Sequence, residues 1–247
     1  MSRYYELIEM ERDQAFRADS TLETALSIPG ESRSRMVPPQ VACDSTWELV
    51  QRVFLQQTQN PPRMVVFAAV DHGSGCSQIA ASVAQTLTGK APEAVCLVEA
   101  NFRSPALPKM LGSTNYHGLT DALLEQGSVR SFLKPVCNQK VWLLSSGSLA
   151  ADSPNLLTSE RLPKRFAELR REFDFVIVDA PPIKRYGDAI ALGKLADGVV
   201  VVIEAESTRR QVAHVAVENL RAAGVKVLGA VLNKRTFPIP EGIYKRL

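Results

Sequence analysis

The sequence predicts an α/β fold: a doubly wound, mainly parallel sheet of about seven strands with helices on both faces. Two observations support this prediction. Continuous aliphatic segments alternate with helical patterns, as at 199–203 and 227–232, which flank a helical pattern. In addition, an apolar segment at 64–70 leads through a glycine-containing turn into a helical pattern, which is typical of a loop that holds phosphate groups at a helix N-terminus.

Length and composition favour one large domain. The chain has 247 residues, of which 45% are hydrophobic and 22% are charged, as in ordinary globular proteins. The net charge of +3 is spread without a long basic block, so nucleic acid is not an expected partner. The cysteines at positions 43, 76, 96 and 137 form no C-x-x-C pair, and we expect them to be reduced thiols in the cytoplasm.

The sequence also bears on membrane contact. Residues 1–14 are charged throughout and contain no signal-peptide core, and the longest aliphatic segment, 199–203, is too short to cross a bilayer. We therefore expect a cytoplasmic protein that reaches the inner face of a membrane only through a partner or its surface charge.

Three regions are expected along the chain. Residues 1–44 are predicted to form a short amphipathic helix at 4–16, which either docks on the body or recruits a partner, and then a flexible linker rich in Ser, Pro, Arg and Glu. Residues 45–236 are predicted to form the α/β domain, and 237–247 a short C-terminal tail.

The elements of the domain follow from its periodicity and its turn residues. Ser45 or Thr46 is expected to cap a helix that ends before Asn60 and two prolines. The other predicted elements are, in order, a strand at 64–70, a helix from 77, a strand at 94–100, two short helices within 107–126, a strand at 141–144, a helix at 159–173, strands at 173–179 and 199–203, a helix at 208–223 and a strand at 227–232.

Polar residues at the carboxyl ends of the predicted strands suggest a site for a phosphate and a magnesium ion. Gly73 and Gly75 allow a tight backbone loop, and Ser77 places a hydroxyl where Mg²⁺ is held in phosphate loops. Asp179 ends a hydrophobic strand, where a second carboxylate can hold Mg²⁺ through water. Glu99 ends another strand, and Asn101 and Arg103 follow it at the same edge of the sheet.

Seven sequence blocks between residues 46 and 234 make the interpretation more specific. They are HGSGCS, VEANFRSP, GLTDALLEQGSV, SPNLLTSERL, FDFVIVDAPPI, ADGVVVVIEAESTRR and VLGAVLNK. In order and spacing they resemble the cytoplasmic kinase domain of the bacterial tyrosine autokinases of exopolysaccharide synthesis, whose first two blocks read PGEGKS and IDADLRRP. This family is a branch of the phosphate-loop ATPases that includes the septum-site and plasmid-partition ATPases.

The resemblance implies binding of ATP and Mg²⁺, transfer of phosphate to tyrosines in the C-terminal tail, and association with a membrane protein that determines polysaccharide chain length. It implies that phosphates are wrapped by Gly73, Ser74, Gly75, Cys76, Ser77 and Gln78. Ser77 and Asp179 would be the Mg²⁺ residues, and Asn233 the residue that reads the purine edge. The implied catalytic residues are Glu99, Asn101, Arg103 and Asp179, with Tyr244 as the candidate phosphoacceptor.

Several departures from the family pattern affect the expected chemistry. Cys76 stands where the loop lysine is found, and Gln78 replaces a threonine. A neutral thiol cannot reach the γ phosphate, and the loss of one oriented donor at a transition state costs ~3 kcal/mol, about 100-fold in rate. Asn101 cannot accept a proton, and Tyr244 is the single tyrosine after residue 234. The E-x-x-R-x-x-R pattern of the family's rings is also replaced, by Ser45, Glu48 and Gln51.

The sequence therefore favours a catalytically degenerate, kinase-like protein that regulates or scaffolds exopolysaccharide synthesis or export. One alternative is an active autokinase in which Arg103 or a basic residue of a partner replaces the lysine. Another is a positioning ATPase of the septum-site type, although Asp71 occupies the position of its additional lysine. A further hypothesis makes Cys76 a reactive or redox-sensing thiol, because a helix N-terminus lowers a thiol pKa.

Overall fold

The computed structural model describes residues 3–8, 43–55, 59–90, 94–148 and 156–236. In chain order its elements are β1 (Arg3–Ile8), α1 (Cys43–Phe54), β2 (Met64–Ala69), α2 (Cys76–Lys90), β3 (Val95–Glu99), α3 (Leu107–Met110), α4 (Leu119–Leu124), a 3-10 helix (Val129–Phe132), β4 (Lys134–Val136), β5 (Val141–Leu144), α5 (Arg161–Glu172), β6 (Phe175–Ala180), α6 (Asp188–Gly193), β7 (Gly198–Glu204), α7 (Arg210–Ala222) and β8 (Val227–Thr236).

The strands form one sheet in the order β1-β8-β7-β2-β6-β3-β5-β4. The six strands from β8 to β5 run parallel, and the two edge strands, β1 and β4, pair antiparallel with their neighbours. The carboxyl ends of β2, β6 and β3 are therefore adjacent at one edge of the sheet. Asp179 lies opposite both Phe67 and Glu99 in the strand register, which brings the two predicted carboxylates side by side.

Apolar side chains on both faces of the central strands explain why helices pack against both faces of the sheet. On one face, Val65 and Phe67 of β2 belong to a core that also contains residues of α1 and α2. On the other face, Val66 belongs to a core that also contains residues of α4, α5, α6 and α7. The predicted doubly wound, mainly parallel architecture is confirmed. Within the described residues, no helix combines the length and the apolar composition that crossing a membrane requires.

The predicted N-terminal helix is wrong over its described part. Residues 3–8 form a strand that pairs antiparallel with β8, with Glu6 opposite Leu232 and Ile8 opposite Ala230. Tyrosine and isoleucine favour strands, and β8 would otherwise present unpaired backbone groups along its length. The rest of the predicted helix, at 9–16, and the predicted linker up to residue 42 lie outside the described residues.

Candidate functional site

The turn between β2 and α2 has the backbone shape of a phosphate loop. Gly73 and Gly75 adopt left-handed φ angles of 84° and 83°, which residues with a side chain rarely adopt. The Ser74 hydroxyl donates a hydrogen bond of 2.8 Å to the carbonyl of Asp71, which closes the turn. Because α2 begins directly afterwards, at Cys76, its positive end faces the loop.

The end of β8 holds this loop from one side. The amide nitrogen of Asn233, a buried residue, donates to the carbonyl of Ser74 at 2.6 Å, and the ammonium of Lys234 donates to the carbonyl of Gly73, also at 2.6 Å. A Cβ at Gly75 would lie 2.3 Å from Nδ2 of Asn233, so only glycine allows this approach. Asn233, predicted to read a purine edge, thus has its side-chain nitrogen bound to the loop backbone.

Asp179 is the buried carboxylate of the site. It is 1% exposed, and neither of its carboxylate oxygens has a hydrogen-bond partner of normal geometry. Burial raises the pKa of Asp179 to about 6, although the nearby Ser77 hydroxyl, Cys76 thiol and Glu99 act to lower it. An unpaired buried carboxylate beside a helix N-terminus fits a magnesium ion, because hard oxygen ligands are those that Mg²⁺ prefers.

Glu99 is buried next to Asp179, but its oxygens are bound to backbone. One oxygen accepts bonds of 2.8 Å from the N–H groups of Ala106 and Leu107, and the other accepts a bond of 3.3 Å from the N–H of Asn101. Burial and the charge of Asp179 raise the pKa of Glu99, against these three donors. In this arrangement Glu99 holds the segment that leads into α3.

The thiol of Cys76 lies at the loop position where P-loops carry a lysine. It is almost completely buried, and its pKa is raised well above the ordinary value by burial, then by the neighbouring Asp179 and Glu99. This direction is opposite to the lowered pKa that a helix N-terminus alone predicts. The structure therefore gives Cys76 the character of a protonated, unreactive thiol rather than that of a redox sensor.

The other predicted residues lie farther from this centre or are bound elsewhere. The guanidinium of Arg103 is paired with Asp188 and lies 4.0 Å above the ring of Tyr186. The side-chain oxygen of Asn101 accepts a bond of 3.3 Å from the N–H of Ser104. Gln78 is exposed on α2, and Tyr244 lies outside the described residues.

Sequence reasoning missed two lysines beside the loop. Lys234, whose ammonium contacts the Gly73 carbonyl, also lies 3.1 Å from the Glu204 carboxylate. Lys184 lies 3.1 Å from the carboxylate of Asp71. The available signal was their position, Lys234 within the last residues of β8 and Lys184 just after β6, since ligands of parallel sheets bind at the carboxyl ends of the strands.

The comparisons with known proteins agree with this geometry. A model of the ParA family, described as NUBPL iron-transfer P-loop NTPase, matches residues 62–245. This chain belongs to the ParA family of P-loop NTPases. Among its relatives is the tyrosine-protein kinase YwqD of Bacillus subtilis (strain 168), which is 31% identical over 171 residues, 69% of this chain and 72% of that protein. The resemblance to bacterial tyrosine kinases is therefore confirmed.

Two other relatives of this ParA-family chain carry the names of a tyrosine-protein kinase and of a succinoglycan biosynthesis transport protein. The tyrosine-protein kinase CpsD of Streptococcus agalactiae is 26% identical over 184 residues, 74% of this chain and 80% of that protein. The succinoglycan biosynthesis transport protein ExoP of Rhizobium meliloti (strain 1021) is 29% identical over 175 residues, 70% of this chain and 22% of that protein.

Solved structures show the same P-loop NTPase fold. The kinase domain of the Escherichia coli tyrosine kinase ETK has a TM-score of 0.76 at 19% identity, covering 85% of this chain and 86% of that one. The chimerical protein CapA2B2 has a TM-score of 0.74 at 23% identity, covering 81% and 87%. The septum site-determining protein MinD of Pyrococcus horikoshii OT3, complexed with Mg-ADP, has a TM-score of 0.57 at 18% identity, covering 68% of each chain.

Proposed function

We propose that this chain is a catalytically degenerate member of the bacterial tyrosine-kinase branch, which binds a magnesium nucleotide but does not transfer phosphate efficiently. The proposal rests on two kinds of features that occur together at the P-loop. The glycine conformations and the unpaired carboxylate of Asp179 are retained, while residue 76 is a buried, protonated thiol.

Nucleotide binding is supported by groups that do not depend on residue 76. Backbone N–H groups in a glycine loop and at a helix N-terminus hold an anion without a side-chain charge. Ser77 and Asp179 are the residues that would hold Mg²⁺, which would supply positive charge to the phosphates when bound. Asn233 fixes the loop from the side of β8.

Weak phosphoryl transfer follows from what the site lacks. The thiol of Cys76 carries no charge to stabilise the transferred phosphoryl group, and the loss of one such donor costs ~3 kcal/mol, about 100-fold in rate. Asn101 cannot take a proton from an incoming hydroxyl. Arg103 is paired with Asp188, which argues against the alternative that Arg103 replaces the lysine.

The cellular role is proposed from the relatives. CpsD and ExoP carry the names of a tyrosine-protein kinase and of a succinoglycan biosynthesis transport protein, and the CapA2B2 chimera shares the fold of this chain. We place the chain in the regulation or scaffolding of exopolysaccharide synthesis or export. In this role it acts in the cytoplasm at the inner face of the membrane, bound to a membrane protein that determines chain length.

Calorimetry with MgADP tests the nucleotide site directly. The unaltered chain is expected to bind in the micromolar to millimolar range, and Asp179→Ala to weaken binding at least about 10-fold, as expected for the loss of a charged ligand group. Glu125→Ala removes an exposed carboxylate and serves as the control with unchanged affinity. Absence of heat at millimolar MgADP would contradict the proposal.

A further inference from the structure

We propose that Lys234 is a positioning residue of the P-loop, which turns the loop's N–H groups toward phosphate and adds a positive charge that residue 76 does not supply. The inference rests on the proposed nucleotide binding and deepens it. The part of the nucleotide that Lys234 would act on is the phosphate chain rather than the base.

The bonds from β8 fix the direction of two peptide groups. Lys234 binds the carbonyl of Gly73, and Asn233 binds the carbonyl of Ser74. In a trans peptide the carbonyl and the next residue's N–H point in opposite directions. Because the two carbonyls are held toward β8, the N–H groups of Ser74 and Gly75 point away from it, as a phosphate-binding loop requires.

The backbone of Lys234 is adapted to this contact. Its φ angle is 62°, in the left-handed region, which is strained for a residue with a side chain. The side chain of the preceding residue supports the conformation, because Oδ1 of Asn233 accepts a bond of 2.7 Å from the N–H of Lys234. Backbone strain of this kind is expected where the position of the side chain serves a function, here the contact of the ammonium with the loop.

The ammonium retains capacity for a phosphate oxygen. Among the described residues, the carbonyl of Gly73 and the carboxylate of Glu204, at 2.6 and 3.1 Å, take two of its three N–H donors. Glu204 lies opposite Asn233 in the strand register, so its carboxylate competes with a phosphate for the same charge. Removing that carboxylate should therefore strengthen phosphate binding.

A second observation shows independently that the loop is built for a ligand. Asp179, near the first residues of α2, is 1% exposed and has two unpaired carboxylate oxygens. A buried carboxylate without partners is costly unless a cation joins it. A magnesium ion bound to this carboxylate would bring phosphates to the loop whose backbone Lys234 holds.

Binding of two probes to four proteins tests the inference. Affinities for MgADP and for magnesium pyrophosphate, which has no nucleoside, are measured with the unaltered chain, Lys234→Met, Lys234→Arg and Lys226→Met. Lys226 is exposed just before β8, so its replacement removes the same charge far from the loop. We expect Lys234→Met to weaken both probes by about 10-fold or more, Lys234→Arg to restore most of the affinity, and Lys226→Met to change neither.

The outcomes separate this inference from the proposed function. Loss of MgADP affinity alone in Lys234→Met, or equal affinities in Lys234→Met and Lys226→Met, would overturn the role of Lys234. Failure of the unaltered chain to bind either probe would overturn the nucleotide site itself. If Lys234→Met does not fold, Glu204→Gln decides: several-fold tighter pyrophosphate binding supports the inference, and unchanged or weaker binding refutes it.

Discussion

At the scale of single residues, the chemistry of this P-loop depends on position 76. The side chain there is a buried thiol beside two carboxylates, Asp179 and Glu99, and burial raises its pKa, followed by the charges of these two acidic groups. A lysine in a P-loop would offer its ammonium to the phosphates and to such carboxylates. With a thiol in its place, the buried acidic pair lacks that neighbouring cation.

Restoring the lysine should restore affinity. Cys76→Lys places an ammonium near Asp179, which lowers the pKa of that carboxyl and adds a donor for phosphate oxygens. We expect MgATP affinity to rise at least about 10-fold, as for a hydrogen bond to a charged group. Calorimetry measures this rise, and Cys76→Met controls for side-chain length. Equal affinities in the two variants would show that charge at position 76 does not limit binding.

Asp179 should make stability depend on pH in a metal-free buffer. Its folded-state pKa of about 6 lies above the ordinary 3.8, so the fold disfavours the ionised form. The resulting loss of stability is absent at a pH below the ordinary pKa of 3.8. It grows as the pH rises toward the folded-state pKa of about 6, and it is complete above that pH. Asp179→Asn should therefore raise the free energy of unfolding at pH 7.5 by up to roughly 3 kcal/mol.

The stability of Asp179→Asn as a function of pH tests this prediction. Denaturant unfolding should show that the gain in Asp179→Asn shrinks below pH 6 and vanishes near pH 4. Glu125→Gln, which alters an exposed carboxylate, should show no such gain. A gain in Asp179→Asn that is constant from pH 4 to 7.5 would mean that ionisation of this group is not its cause.

At the scale of elements, the loop between β2 and α2 is fixed by its contact with β8. Gly73→Ala and Gly75→Ala both force a side chain into a left-handed conformation, at a cost of roughly 1 kcal/mol. A Cβ at Gly73 has no atom within 4 Å, whereas one at Gly75 collides with Asn233. The two variants therefore separate backbone strain from the contact with β8.

We expect Gly75→Ala to lose more stability than Gly73→Ala, by about 1–3 kcal/mol, since a buried hydrogen bond must also be broken or displaced. Urea unfolding of both variants measures the difference. MgADP affinity should fall more in Gly75→Ala as well. Equal losses in both variants would argue that the bond from Asn233 to the loop contributes little.

The elements show what sequence can predict. β2, β6 and β7 lie within two residues of their predicted bounds, because strands buried on both faces are aliphatic throughout. The sequence of β1 predicts a helix instead of the observed strand, because the strand conformation depends on pairing with the distant edge of β8. β4, of three residues with Pro135 at its centre, and α6, of six residues, were too short to give a periodic signal.

The sequence predicts part of the candidate site but not all of it. Gly73, Gly75 and Asp179 stand at strand and helix ends, where sequence position alone places them together. The role of Lys234 depends on a left-handed backbone angle and on the direction of a long side chain, and neither leaves a pattern in the sequence. The sequence likewise does not predict that the Glu99 carboxylate accepts hydrogen bonds from three backbone N–H groups.

At the scale of the whole molecule, assembly separates this chain from a positioning ATPase. In α1, Glu48 forms an ion pair of 2.6 Å with Arg52. Ser45, Glu48 and Gln51 stand where the resemblance to the tyrosine autokinases leads us to expect the E-x-x-R-x-x-R pattern. We expect one sedimenting species whose size does not change when MgATP is added. A nucleotide-dependent dimer in sedimentation velocity would favour the positioning ATPase instead.

On the proposed function, the chain as a whole keeps a nucleotide site but does not transfer phosphate efficiently. Incubation with γ-labelled ATP, followed by measurement of protein-bound label, tests it most directly. We expect the unaltered chain to carry no more label than Asp179→Ala, which lacks the carboxylate proposed for Mg²⁺. Phosphotyrosine on the unaltered chain, at Tyr244 or elsewhere, that disappears in Asp179→Ala would contradict the proposed function and show an active kinase.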